Sequence, residues 1–248
     1  MTVAPFISRK TGQFAYFAAQ LCERDWRRKD VLDFGGNIGN ILRDPESTID
    51  PRRYWCLDVV EASLERGRRR WPEAHWYFYD RYCFFFNPSG VPRLPLPDLG
   101  QRFQIIVAYS VFPNTDRTDL VDLVGQLQIM LAGGGVLAFT YIDPHHRSWA
   151  EDERNNFRWR LEKERGEVSS PEAHEMLRRS RDAEWCILVN GEDLYVNTEE
   201  LAHYEPGEQQ THHTFYTTEY LRKLFPRASF RPPVYGETHH CCIIRDAS

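Results

Sequence analysis

Residues 31–40 read VLDFGGNIGN. The first four residues of this stretch form an apolar run that leads directly into a glycine-rich loop, and the chain beyond the loop suits a helix only as far as Pro45. A loop between a strand and a helix leaves backbone N–H groups free to bind a ligand. The GxGxxG spacing of dinucleotide-binding proteins fails, because Asn37 and Asn40 stand where glycines are needed. The stretch therefore predicts a ligand-binding loop that does not suit NAD.

Strand and helix patterns alternate on both sides of this loop. The predicted strands cover residues 30–34, 54–58, 75–79, 103–108, 136–142, 229–232 and 240–245. The predicted helices cover residues 13–23, 61–71, 119–131 and 217–225; Thr217 or Thr218 caps the last one, and the glycines at 133–135 stop the third. Because strands alternate with helices, we expect right-handed βαβ units and a mainly parallel sheet in one domain spanning residues 1–248.

Residues 144–211 depart from this alternation. Charged helical segments come first, and an Asn190-Gly191 pair between two apolar runs then predicts a hairpin over residues 186–196. We interpret the block as an inserted lid of helices and a hairpin after the fifth strand. Its aromatic side chains could line an acceptor pocket, pack the insertion onto the sheet or form a contact between two copies of the chain. A homodimer therefore stays open.

Composition and hydropathy disfavour some partners and cellular locations. The 248 residues carry a formal charge of −5 and are 42% hydrophobic, so a packed core is expected and nucleic acid is a disfavoured partner. No apolar stretch approaches the roughly 20 residues of a membrane span, and the first ten residues lack the apolar segment of a secretory signal. Without such a stretch, no membrane partner is expected. The six cysteines form no CxxC pair, which is typical of reduced thiols in a cytoplasmic protein.

The glycine loop belongs to a longer pattern. Asp33, Gly35, Asn37 and Gly39 follow the scheme acidic-x-Gly-x-Gly-x-Gly with one asparagine in a glycine position, and Asp58 ends the second strand. This pattern resembles motif I, and the acidic residue that follows it, of the class I S-adenosylmethionine-dependent methyltransferases. Asparagine adopts positive φ more readily than other non-glycine residues, so the substitution is physically tolerable.

The resemblance implies a fold and a cofactor site. The fold would be α/β and Rossmann-like, doubly wound around a mostly parallel seven-stranded sheet whose last strand is antiparallel. The cofactor would be S-adenosyl-L-methionine, with the acidic residue after the second strand on the ribose and the residue after the third near the adenine. The residues expected to contact it are Asp33, Gly35, Gly36, Asn37, Gly39, Asp58, Val59, Asp80, Arg81, Ala108 and Tyr109.

Catalytic residues should lie where the fourth and fifth strands end, since ligands of open α/β sheets bind at that edge. Histidine is a natural base near neutral pH, so His145 and His146 are the first candidates, and Asn114 is a further one. The less favoured histidines are His212, His213, His239 and His240. No metal is expected, because the neighbouring side chains of residues 239–242 would point to opposite faces of a strand.

The expected reaction is methyl transfer to the oxygen or nitrogen of a small molecule held under the lid. The Asn-Pro-Pro-aromatic motif of methyltransferases that act on adenine or glutamine is missing, since residues 110–113 read SVFP. Two alternatives keep the same fold: a protein with non-methylating chemistry, and a non-enzymatic binding protein with a decayed site. A dehydrogenase is a more distant one.

Overall fold

The computed structural model describes residues 12–83, 86–115, 117–143, 195–197, 214–234 and 238–246. The described strands are β1 (Val31–Phe34), β2 (Tyr54–Asp58), β3 (His75–Phe78), β4 (Phe103–Ala108), β5 (Leu131–Tyr141), β6 (Tyr195–Asn197), β7 (Thr214–Tyr216), β8 (Ser229–Arg231) and β9 (His240–Arg245). The described helices are α1 (Gln13–Leu21), α2 (Asn40–Arg43), α3 (Glu61–Arg70), α4 (Arg117–Ile129) and α5 (Thr218–Leu224). Short 3₁₀ turns cover Pro51–Arg53 and Phe112–Asn114.

Seven of the described strands form one sheet in the order β3-β2-β1-β4-β5-β9-β8. Strands β1 to β5 run parallel, and β9 pairs antiparallel with both β5 and β8. This arrangement confirms the predicted doubly wound α/β sheet with an antiparallel last strand. The chain moves outward from β1 to β3 and then returns to place β4 beside β1, so the switch point of the sheet lies between the carboxyl ends of β1 and β4. Open α/β sheets bind ligands in a crevice at such a point.

Each face of the sheet buries a hydrophobic layer. The layer we call the α1 layer packs Phe14 and Phe17 of α1, together with Leu64 of α3, against one face. The α4 layer packs Leu123 of α4 and Leu221 of α5 against the other. Successive strand residues point to opposite faces, so each buried strand contributes to both layers. The continuous apolar run of β4 follows from this burial on two sides.

The glycines at 133–135 correct one prediction. We expected them to end α4, but the helix ends earlier at Ile129, and the glycines lie inside β5, which begins at Leu131. A Cβ at Gly135 would stand 2.7 Å from the carbonyl oxygen of Phe103, so two backbones approach where no side chain fits. The pairing of β4 with β5 shifts register at this point. The run is a bulge inside a strand rather than a helix stop.

The remaining predicted elements agree closely with the structure. The predicted bounds of β2, β4 and β9 are those observed, and α2 is a single four-residue turn, as the nearby proline required. Thr217 caps α5, because its side chain accepts a hydrogen bond from the Tyr220 N–H at 3.2 Å.

The predicted lid, residues 144–211, lies outside the described residues except for β6. Strand β6 pairs antiparallel with β7, just before α5, in a separate two-stranded sheet. The first arm of the predicted hairpin also lies outside the described part. Among the residues that the structure describes, no helix is long and apolar enough to cross a membrane.

Candidate functional site

The loop after β1 combines three residues with left-handed backbone. Gly35 has φ of 74°, Asn37 of 56° and Gly39 of 77°. Asn37 thus takes a conformation that usually needs glycine, as the sequence pattern predicted. The Gly39 N–H donates to the Gly36 carbonyl at 2.9 Å, and α2 begins at the next residue. The loop is therefore a compact turn at the carboxyl end of β1.

Two glycines of this loop leave no space for a side chain. A Cβ at Gly35 would collide with the Val111 side chain beyond the end of β4, and a Cβ at Gly36 would collide with the Asp33 carboxylate. The backbone of the loop consequently lies directly against the tip of β4 on one side and over Asp33 on the other. Such close approach is the physical reason for glycine at both positions.

Asp33 lies underneath the loop. Its side chain is buried in the α1 layer, and its carboxylate accepts a hydrogen bond from the Tyr54 hydroxyl at 2.7 Å. Burial raises the pKa of Asp33 to about 7; the hydrogen bond from Tyr54 opposes this rise, and the charge of Asp58 adds to it. The structure thus places Asp33 as a support of the loop. The sequence offered no signal for Tyr54 as its partner, because the contact crosses from β1 to β2.

Asp58 occupies the end of β2, beside the loop. One carboxylate oxygen accepts from the Asn37 N–H at 2.7 Å, and the other accepts from the Val60 N–H at 2.8 Å. Burial raises the pKa of Asp58, and these backbone hydrogen bonds oppose the rise. Each carboxylate oxygen can accept more than one hydrogen bond, so both keep accepting capacity for a ligand. Val59, the next residue, packs partly buried against the α4 layer.

The turn after β4 forms the other wall of the crevice. Ala108 is fully buried at the end of the strand, and the Tyr109 ring packs edge-on against Tyr16 of α1 at 5.5 Å. Ser110 has φ of 56°, and its N–H donates to the Thr140 hydroxyl at 2.7 Å. The Asn114 amide, a predicted catalytic group, donates to the Ser110 carbonyl at 2.8 Å. In this structure Asn114 therefore holds the turn.

The two residues after β3 have separate surroundings. Asp80 is exposed, and its carboxylate accepts from the Asn87 amide at 3.0 Å. The buried Arg81 guanidinium instead pairs with Asp119 and Asp122 of α4, the latter at 3.0 Å. The structure thus keeps Asp80 at the ligand edge of the sheet, while the Arg81 side chain joins β3 to α4.

The histidines fall into two groups. His145 and His146, the first candidates for a base, lie outside the described residues, as do His212 and His213. His239 lies at the carboxyl edge, where its ring stands 5.1 Å from that of Tyr109. From the sequence, His239 is only a less favoured catalytic candidate. Counting alternation backwards from Cys241 would have put it in the α1 layer, beside Tyr109.

Proteins of similar fold are found among solved structures. No protein-family profile and no curated protein matches the chain. The glycopeptide N-methyltransferase MtfA in complex with sinefungin matches with a TM-score of 0.51 and 12% identity, over 97% of this chain and 95% of MtfA. MtfA in complex with S-adenosyl-L-homocysteine gives a TM-score of 0.50 and 12% identity, over 98% and 92%. The chain has the class I methyltransferase fold.

This fold confirms the resemblance seen in the sequence. DesVI of Streptomyces venezuelae is 20% identical, but the match covers 52% of this chain and 50% of DesVI, with a TM-score of 0.37. The chain thus spans about half the length of DesVI. One fold hosts many chemistries, so the residues at the loop and at the strand ends determine the activity.

Proposed function

We propose that this protein is an S-adenosylmethionine-dependent methyltransferase that acts on the oxygen or nitrogen of a small molecule. One observation carries the proposal: the compact glycine loop after β1 and the Asp58 carboxylate after β2 meet at the switch point of the sheet. Ligands of open α/β sheets bind at this place.

The crevice suits the two ends of this cofactor. Gly35 and Gly36 let the loop backbone pack against Val111 and over Asp33 at the end of β1. We assign the amino-acid end of the cofactor to this loop, between a strand and a helix. We assign the ribose to Asp58, whose oxygens retain accepting capacity. The adenine would lie near Val59 and Asp80, which follow β2 and β3.

Other predicted residues support this site from behind or beside it. Asp33 would hold the loop from below, together with the backbones of Asn37 and Gly39. Ala108 and Tyr109, at the end of β4, would lie beside the reacting end of the cofactor. Arg81 would contribute by holding the segment after β3, since its guanidinium is bonded to α4.

The cofactor supplies a methyl group on a positively charged sulfur. In the overall reaction the carbon–sulfur bond breaks, a bond forms from that carbon to the acceptor atom, and the acceptor loses a proton. The chain accelerates this reaction by holding both partners in the attack geometry. Residues 144–211 would enclose the acceptor. His145 or His146 would take its proton, and Asn114 would bind it.

A small acceptor is favoured over a macromolecule by charge and motif. The formal charge of −5 offers no excess of cations for nucleic-acid phosphates. The turn after β4 also lacks the Asn-Pro-Pro-aromatic sequence expected for planar amide or adenine acceptors. MtfA is by name an N-methyltransferase of a glycopeptide, so a non-nucleic-acid acceptor also accords with a protein of this fold.

Calorimetry with S-adenosylhomocysteine tests the proposal. Asp58→Ala should weaken its binding by about 1.5–3 kcal/mol, the scale of hydrogen bonds to a charged group. Asp98→Ala, which truncates an exposed carboxylate in the loop before β4, is the matched control and should bind like the wild type. The proposal is wrong if the wild type does not bind S-adenosylhomocysteine, or if it binds NAD more tightly than S-adenosylhomocysteine. Binding without methyl transfer to any of a panel of alcohols and amines would favour the non-methylating alternatives.

A further inference from the structure

His239 lies at the same edge of the sheet as the glycine loop. It immediately precedes β9, whose first residue pairs with Tyr141 at the carboxyl end of β5. Cys241 and Ile243 point into the α1 layer, and alternation puts His239 on that same face. Its carbonyl accepts a hydrogen bond from the Tyr16 hydroxyl of α1 at 3.0 Å, which fixes its backbone.

The imidazole of His239 is short of hydrogen bonds. Both ring nitrogens are buried, and neither has a hydrogen-bond partner among the residues that the structure describes. Burial lowers the pKa of His239 to about 4, with a further contribution from His240, so the ring is neutral at physiological pH. A neutral imidazole carries one donor and one acceptor, and burying either of them unpaired destabilises the folded protein. Packing alone does not explain the residue, since a phenylalanine would fill the same space without that cost.

The position of the ring connects it to the proposed cofactor site. Val111 contacts the loop at Gly35, and Tyr109, two residues earlier in the same turn, contacts His239 at 5.1 Å between ring centres. Along the carboxyl edge of the sheet, the tip of β4 therefore lies between the glycine loop and His239. A group transferred from a molecule bound at the loop would meet its acceptor over this tip.

We propose that His239 binds the reacting hydroxyl or amine of the methyl acceptor, through a hydrogen bond from that group to its free ring nitrogen. This inference rests on the proposed methyltransferase function. It names the acceptor class as one whose nucleophilic atom still carries a proton, and it favours His239 over the histidines at 145 and 146 as the acceptor-binding group. The hydrogen bond would direct the lone pair of the acceptor atom toward the methyl group.

Sinefungin and S-adenosylhomocysteine form a matched pair of probes. Sinefungin carries an amine in place of the transferred methyl group, and S-adenosylhomocysteine carries nothing there. If His239 faces the reacting atoms, its nitrogen accepts a hydrogen bond from this amine and favours sinefungin. Isothermal titration should therefore show that His239→Phe reduces the preference for sinefungin about tenfold or more, on the scale of a hydrogen bond to a charged group, with S-adenosylhomocysteine affinity retained.

His75→Phe is the control, because it makes the same change at the amino end of the parallel strands. His75 begins β3 there and stacks on Trp55, with 4.4 Å between the ring centres. It should leave the preference unchanged. If His239→Phe binds S-adenosylhomocysteine and keeps the wild-type preference within twofold, the inference is overturned. If the wild type binds neither probe, the proposed function fails instead.

A measurement on the unmutated protein covers the case in which His239→Phe does not fold. With ¹⁵N-labelled histidine, sinefungin should shift the ring-nitrogen resonances of His239 more than S-adenosylhomocysteine does, with His239→Gln used to assign them. Equal shifts with the two probes would overturn the inference.

Discussion

Replacing Asp33 with asparagine should change how the stability of the protein depends on pH. The pKa of this buried carboxyl is about 7 in the folded protein, against about 4 in an unfolded chain. Between these values the folded state holds a proton that the unfolded state has lost, so the wild type loses stability as pH rises. Below pH 4 its contribution is complete, and above pH 7 it is gone. Asparagine occupies nearly the same volume and does not titrate.

The magnitude follows from the shift in pKa. Each pKa unit corresponds to 1.36 kcal/mol, so the stability of the wild type relative to Asp33→Asn should fall by about 2–3 kcal/mol between pH 5 and pH 8. Urea denaturation followed by circular dichroism at the two pH values measures this difference. Asp98→Asn makes the same chemical change on an exposed side chain and is the matched control. Parallel pH dependence of the wild type and Asp33→Asn would refute the reasoning.

Two further predictions concern packing and the ion pairs of the fold. Gly135→Ala should destabilise the protein by about 1–3 kcal/mol, because the new Cβ would press on the Phe103 carbonyl. Gly125→Ala, in open space on α4, should stabilise it by about 0.5–1 kcal/mol. Thermal unfolding of the two variants measures both changes. Arg81→Met should lower the free energy of unfolding by about 2–3 kcal/mol, as measured by urea denaturation. It removes the part-buried hydrogen bond to the Leu94 carbonyl and the ion pair with α4. A loss under 0.5 kcal/mol would mean that the exposed side of this network is screened by water.

Most of the sheet was predictable because the signals are local. An apolar run such as β4 and the helical spacing in α4 each reflect burial of one segment, and they can be recognised without knowing its neighbours. The glycines at 133–135 misled the prediction, since glycine ends helices and also permits bulges in strands. Only the neighbouring carbonyl of Phe103 distinguishes the two roles.

The candidate site was predictable in part. The left-handed backbone of Asn37 and the position of Asp58 beside the loop follow from the motif and the end of a strand. The surroundings of Arg81 did not follow, because its partners belong to a helix that comes much later in the chain. Its location after β3 was a poor guide to the direction of so long a side chain.

By itself the sequence determined the alternation of strands and helices, the loop between β1 and α2, and the resemblance to a cofactor-binding motif. These features depend on residues within one or two turns of each other, and backbone sterics and burial act on them directly. Two further features arise only in the folded protein: Asp33 is buried against Tyr54 with a raised pKa, and His239 lies against Tyr109. Desolvation and contact depend on which distant segments meet, and the chain sets that only when the whole sheet is assembled.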